Sequence, residues 1–369
     1  MTRKVRYAVV GLGDIAQGAF LPGVAHTGNS EVTALVTSDP GKARKIGAEY
    51  GVTATYAYEQ LDELLASGTI DAIYLATPNW RHEEFVVPAL RAGIHVLCEK
   101  PLEISVAKCR AILAAEEDAK AKLMVAYRLH FEPATLDLVQ RIRSGEIGEV
   151  HAFTATFAQM VDPENHRAEH GDLAGPLLDM GVYPINAARY VFGDEPTHVL
   201  SAVGTRHPES GLGDFADTIA ATLRFPGDRI AQLLVSYYGE ACGMLHAIGS
   251  KGTVCLDPAF TYGEPLAHEL SAGGEKKRRQ FPETDQFGGQ LQYFSRCILE
   301  DRDPEPDGEE GLADVRVVEG IFEAMKTGAS VTLPPFTRTK RIDPERQLRK
   351  LSPVKPPEKV NASSPVKDS

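Results

Sequence analysis

The chain has 369 residues, 43% of them hydrophobic, and a formal net charge of −12. That length predicts two domains with sizeable cores. The acidic balance argues against a nucleic-acid partner, which selects a basic face, and no apolar run approaches the roughly 18 residues of a membrane span.

The chain opens "MTRKVRYAVVGLG" and enters a strand at once. That leaves no room for a signal peptide, so a cytoplasmic location is expected. Cys98, Cys109, Cys242, Cys255 and Cys297 form no C-x-x-C pair and are expected as free thiols in a reducing compartment. "YAVVG" (7–11) is the first short apolar strand, followed by a helix from Ile15 that Pro22 should kink or end. "VTALVT" (32–37), "DAIYLAT" (71–77), "IHVLC" (94–98) and "KLMVAY" (122–127) are further strands. Helices are expected over 42–50, 81–92 and 106–121. Near-continuous apolar strands separated by helices predict a parallel sheet covered on both faces.

After about residue 128 the texture changes. A helix over 134–144 precedes long alternating strands at 150–159, 215–225 and 229–238, then "MLHAIGS" and "GTVCLD". Short turns such as Pro226-Gly227-Asp228 join consecutive strands, which predicts an antiparallel sheet. A late helix covers about 311–326. The reading is an α/β domain over 1–127, an α+β domain over 128–336 and a Pro-rich tail over 337–369. Residues 338–369 carry nine Lys/Arg against four Asp/Glu. The tail is therefore disordered, or an extended arm on the acidic body or on a neighbouring subunit.

"VVGLGDIA" supplies G-x-G-x-x-A with Gly11, Gly13 and Ala16, after a strand and opening a helix. Gly11 permits the tight turn, Gly13 lets backbone approach a pyrophosphate, and Ala16 allows close packing. Leu12, Asp14 and Ile15 complete the dinucleotide-binding turn. The second strand ends Thr37-Ser38-Asp39, with Lys42 and Arg44 following. Asp39 falls two residues past the usual place for a carboxylate that holds the ribose of NAD. Hydroxyls beside Lys42 suit the extra phosphate of NADP, so NADP is expected rather than NAD. "IHVLCEKP" ends a buried strand with Glu99, Lys100 and Pro101. Two adjacent charges at the carboxyl end of a central strand fall where open α/β sheets bind ligands.

These stretches, with "ATPNWRHEEFVVPALRAGIHVLCEKP", "KLMVAYRLHFEP", "AGPLLDMGVYPINAARYVFGDEP" and "EPDGEEGLADVRVVEGIFEAMKTG", resemble the Gfo/Idh/MocA oxidoreductases over about residues 5–335. The E-K-P tripeptide and the D-x-x-x-Y spacing carry the likeness, and the glucose–fructose oxidoreductase branch is the nearest. The resemblance implies a Rossmann domain plus an open-faced, mostly antiparallel sheet. It also implies a cis bond before Pro101, and a homodimer or homotetramer formed through the second sheet. It implies hydride transfer with a monosaccharide or polyol. Lys100, Asp179 and Tyr183 would be catalytic, with Tyr183 as acid/base and Asp179 orienting the substrate hydroxyl and the amine. Thr77, Pro78, Asn79, His82, Glu99, Lys100 and Arg128 would line the cofactor. Lys100, Arg128, Arg167, Asp179, Tyr183 and Tyr262 would meet substrate. A hydrolase using bound NAD to cleave glycosides and a non-catalytic dinucleotide sensor are the other readings. His130 and His151 are read as structural. "HRAEH" (166–170) fits the H-x-x-E-H metalloprotease pattern, but its Pro- and Gly-rich setting speaks against a metal, and none is expected.

Overall fold

A computed structural model describes residues 3–362 and 364–366, with the side chains of His166 and Glu169 left aside. The first half runs β1 (Val5–Val10), α1 (Leu21–Thr27), β2 (Ser30–Val36), α2 (Pro40–Tyr50), β3 (Ala54–Tyr56), α3 (Leu61–Ala66), β4 (Ala72–Leu75), α4 (His82–Arg91), β5 (His95–Cys98), α5 (Val106–Glu117), β6 (Leu123–Val125) and α6 (Pro133–Arg143). Then follow β7 (Val150–Ala158), α7 (His166–Glu169), α8 (Val182–Phe192), β8 (His198–Thr205), β9 (Thr218–Phe225), β10 (Arg229–Ser236), β11 (Cys242–Gly249), β12 (Gly252–Leu256), β13 (Leu266–Ala272) and β14 (Glu275–Phe281). The last elements are α9 (Gln286–Leu299), α10 (Gly308–Thr327), β15 (Val331–Thr332) and α11 (Pro344–Gln347).

Two units result. The first comprises Met1–Arg128, Asp285–Leu312 and Arg349–Ser364; the second comprises Leu129–Thr284, Ala313–Leu348 and Pro365–Ser369. The contiguous boundaries expected from the sequence are corrected here, because the chain returns to the first unit twice. Neither return announces itself locally. In the first of them, Ser295 of α9 places its Oγ 2.8 Å from both Tyr7 Oη and Ser30 Oγ. That contact satisfies a tyrosine hydroxyl on a fully buried ring.

The first unit's strands pair in the order β3-β2-β1-β4-β5-β6, all parallel. β4 is buried at every position and β5 at three of four, as a sheet covered on both faces requires. Strand order reverses between β1 and β4, the switch point where such sheets bind ligands.

The second unit's sheet has nine strands in the order β14-β13-β12-β11-β7-β10-β9-β8-β15. Only β7 and β10 run parallel; the other pairs are antiparallel. Strands β8, β13, β14 and β15 have no counterpart in the sequence reading. β14 is exposed at six of its seven positions, so no hydrophobic alternation marks it.

A polar network lies buried in this unit. Arg189, 2% exposed, forks onto Glu195 (2.7 and 2.9 Å) and donates to Asp314 at 2.8 Å. Asn186 joins Asp314 to His130, at 3.0 and 2.8 Å. His130 is thus structural, as expected; His151 is exposed on β7. All five cysteines are free. Among the described residues no helix is long and apolar enough to cross a membrane.

Candidate functional site

In the first unit, Gly11 follows β1 with φ of +91°. A Cβ there would lie 2.6 Å from the Ala76 carbonyl oxygen beyond β4, so only glycine fits. Gly13 differs: a Cβ there would meet nothing within 4 Å. Protein crowding does not require this second glycine. The open cradle at the start of a helix fits a dinucleotide's pyrophosphate. Helical turns then run from Asp14 through a π-turn, Ala16–Phe20, into α1. The wide turn lets the helix continue past Pro22, which neither ends nor interrupts it, because the missing N–H and the ring are accommodated by shifted hydrogen bonding.

After β2, Thr37 is buried and its Oγ1 accepts from the Asp39 amide at 3.3 Å. Ser38 is exposed. Asp39 caps α2: Oδ1 accepts from the Gly41 and Lys42 amides at 2.9 Å each, and Oδ2 accepts from Asn361 at 2.9 Å. Three hydrogen bonds thus hold its carboxylate within the protein. After β4, the Thr77 hydroxyl is buried without a hydrogen-bond partner among the described residues, which fits a ligand atom at that position. Pro78 and Asn79 lead from it through a 3₁₀ turn into α4.

At the end of β5, Glu99 accepts from Tyr74 Oη at 2.7 Å. Burial raises the Glu99 pKa, while the Tyr74 hydrogen bond and the charges of Lys100 and Arg128 oppose that rise. The Lys100–Pro101 bond is cis, as the resemblance implied. Arg128, 4% exposed, donates to Gln286 Oε1 at 2.5 Å. The Glu99 carboxylate is thus tolerated at this strand end because a phenol, the neighbouring ammonium and a guanidinium offset part of its desolvation.

His82, expected to line the cofactor, is engaged within the protein as an internal staple. It is 1% exposed, with Nδ1 3.0 and 3.1 Å from the Pro101 and Leu102 carbonyls and Nε2 3.2 Å from that of Thr77. Burial, with a smaller effect from Lys100, lowers its pKa to about 4, although hydrogen bonds to those carbonyls act to raise it. The sign follows directly. The unfolded imidazole takes a proton near pH 6.5 and the folded one only near 4. The stabilisation is complete above 6.5 and is lost as pH falls through that window, by on the order of 3 kcal/mol. Urea unfolding across this window is expected to show the loss, and His82→Asn is expected to flatten it. Parallel curves for the two proteins would contradict the assignment.

In the second unit, the π-turn Leu177–Gly181 runs into α8. It carries the helix past Pro184 as the other π-turn does past Pro22. Ten of the eleven α8 residues are buried; Tyr183 is the exception. Phe157 meets its ring edge-on at 5.7 Å, and Phe260 lies at 6.3 Å. Asp179 lies four residues earlier, and its Oδ2 accepts from Arg167 Nε at 2.9 Å and Tyr237 Oη at 2.8 Å. Arg167, expected against substrate, is thus engaged with Asp179, and Asp179 is itself oriented by protein groups. Burial first, then the Asp179 charge, push the Tyr237 phenol well up, so it remains a proton donor to that carboxylate. Tyr262 is 46% exposed in the loop after β12.

Sequence reasoning missed Tyr74, Gln286 and Tyr237. None lies in a motif, and each reaches its partner from 25, 158 and 58 residues away respectively. The "HRAEH" stretch falls on α7, where the side chains of His166 and Glu169 lie outside the described residues. Among the described residues no His, Cys, Asp and Glu cluster could hold a metal ion.

Residues 5–127 match the model of an oxidoreductase family with an NAD-binding Rossmann fold, GFO/IDH/MocA. Residues 135–255 match that family's C-terminal domain. The chain is 32% identical over 338 residues to a D-xylose 1-dehydrogenase (NADP(+)) of Haloarcula marismortui, covering 89% of this chain and 93% of that protein. A second such enzyme, from Haloferax volcanii, is 28% identical and covered 99% by a match to 89% of this chain. Among solved structures, aldose-aldose oxidoreductase from Caulobacter crescentus complexed with glycerol is 35% identical with a TM-score of 0.85, matching 90% of this chain and 100% of that one. KijD10, a 3-ketoreductase from Actinomadura kijaniata in complex with NADP and TDP-benzene, is 26% identical with a TM-score of 0.80, over 87% and 98% of the chains.

Proposed function

The chain belongs to the Gfo/Idh/MocA oxidoreductase family, and on that premise we propose that it is an NADP-dependent oxidoreductase acting at the anomeric carbon of aldose sugars. The observation that carries the reading is α8, a helix buried at every residue but Tyr183, with the oriented Asp179 one turn before it.

NADP supplies or accepts the hydride when bound. The residues that would hold it are the Gly11–Gly13 turn, Thr77 through its orphan hydroxyl, and Lys42 beside Thr37 and Ser38. Support for NADP over NAD comes from Asp39, whose oxygens are committed to capping α2 and to Asn361. The names of the two xylose dehydrogenases point the same way.

The protein groups move one proton. In the reducing direction the Tyr183 phenol donates to the substrate carbonyl oxygen as hydride reaches the carbon. In the oxidising direction the same oxygen takes the proton back. Lys100 offsets negative charge on that oxygen. Asp179, held by Arg167 and Tyr237, orients the sugar's neighbouring hydroxyls.

The test is absorbance at 340 nm with a panel of aldoses, ketoses and polyols. Turnover is expected with aldoses, D-xylose among them, and with NADP+ well ahead of NAD+ in kcat/KM. Turnover confined to polyols, or equal use of both cofactors, would overturn the reading.

A further inference from the structure

The basic segment after Arg349 is packed on the first unit and ends at its glycine turn. The Arg349 guanidinium lies 5.6 Å from the Tyr293 ring, Leu351 O accepts from the Asp285 amide, and Ser352 O lies 3.1 Å from His26 Nδ1. Further along, Val360 is held both ways by Gln17: its amide donates to Gln17 Oε1 at 2.7 Å, and its carbonyl accepts from Gln17 Nε2 at 3.0 Å. Gln17 is 2% exposed, and Nε2 also donates to Leu12 O at 2.8 Å. The segment is therefore tied to the turn itself.

On either side of Val360 stand two contacts with carboxylates. Lys359 Nζ pairs with Asp14, the residue after Gly13. The stem of that lysine crosses Gly18, where a Cβ would lie 3.1 Å from Lys359 Cε. Asn361, in left-handed backbone with φ of 46°, donates to Asp39 Oδ2. Asp14 and Asp39 flank the place where a dinucleotide's phosphates are expected, and bare carboxylates there would repel a polyanion.

We propose that residues 349–361 form part of the dinucleotide site, with Lys359 and Asn361 masking Asp14 and Asp39 so that a phosphorylated dinucleotide binds against them. This rests on the dinucleotide reading above. It adds a sequence-distant segment to the site and makes that segment favour the more highly charged cofactor.

The experiment is calorimetric titration of NADP+ and NAD+ into the full chain, a chain ending at Ser352, and the full-length double variant Lys359→Met, Asn361→Leu. The shortened and double-variant proteins are each expected to bind NADP+ about tenfold more weakly, with a smaller loss for NAD+. Adding Asp14→Asn to the shortened chain should recover much of the loss, which a purely structural role for the segment would not allow. Should the shortened chain fail to fold, the double variant carries the test alone. NADP+ affinity within about twofold of the full chain in both altered proteins, or no recovery with Asp14→Asn, would overturn the inference while leaving the dinucleotide reading intact. A full chain that binds neither cofactor would remove both.

Discussion

Tyr183→Phe is expected to lower kcat with D-xylose by about 10²–10⁴-fold, the range for losing a positioned acid/base group. The substitution removes one oxygen and keeps the ring that meets Phe157 at 5.7 Å and Phe260 at 6.3 Å. Packing of α8 should therefore survive, and calorimetric binding of NADP+ should match the parent. Lys100→Met keeps most of the stem and removes the charge at the end of β5, and a fall of similar size is expected. Lys100→Arg should recover little, since a planar fork is not a substitute for a compact ammonium. Effects of the two changes combined should fall well short of the product, because both serve one proton transfer. Near-parental kcat in either single variant would sink the assignment.

Arg189→Met is expected to destabilise the protein by about 3 to 5 kcal/mol, through the carboxylates it abandons. Arg189 is 2% exposed, Asp314 is 0% and Glu195 is 5%. Its guanidinium supplies three hydrogen bonds of 2.7–2.9 Å to those two acids. Arg341 at 3.3 Å and Arg316 at 4.0 Å from Glu195 soften the loss there, and Asn186 offers Asp314 a neutral donor at 3.0 Å in place of a lost ionic hydrogen bond. Arg189→Lys retains charge but cannot fork, so its loss should be intermediate. Urea unfolding would decide: a Met variant within about 1 kcal/mol of the parent would mean the network contributes specificity rather than stability.

The first sheet was legible because each of its rules acts over a few residues. Continuous apolar runs in β4 and β5 signal burial on both faces, and Gly11 marks the turn where a Cβ would strike the Ala76 carbonyl. Glu99–Lys100 at a strand end stands out from sequence alone, whereas Asp179 and Tyr183, four apart, are marked by the family resemblance. Pro22 misled because helix rules assume an α-turn, and its helix places a π-turn just upstream.

Taken alone, the amino-acid order determined the parallel sheet and the glycine turn, since periodicity and turn conformation are properties of neighbouring residues, and the family resemblance singled out the lysine, aspartate and tyrosine proposed to carry the chemistry. Tertiary structure alone decided what holds them. Arg167 and Tyr237 converge on Asp179, Gln286 reaches Arg128, His82 staples a turn, and Lys359 crosses 345 residues to Asp14. Those pairings depend on where the fold returns each segment. No local propensity records that, because the energy of a buried hydrogen bond depends on distance in space and not on distance along the chain.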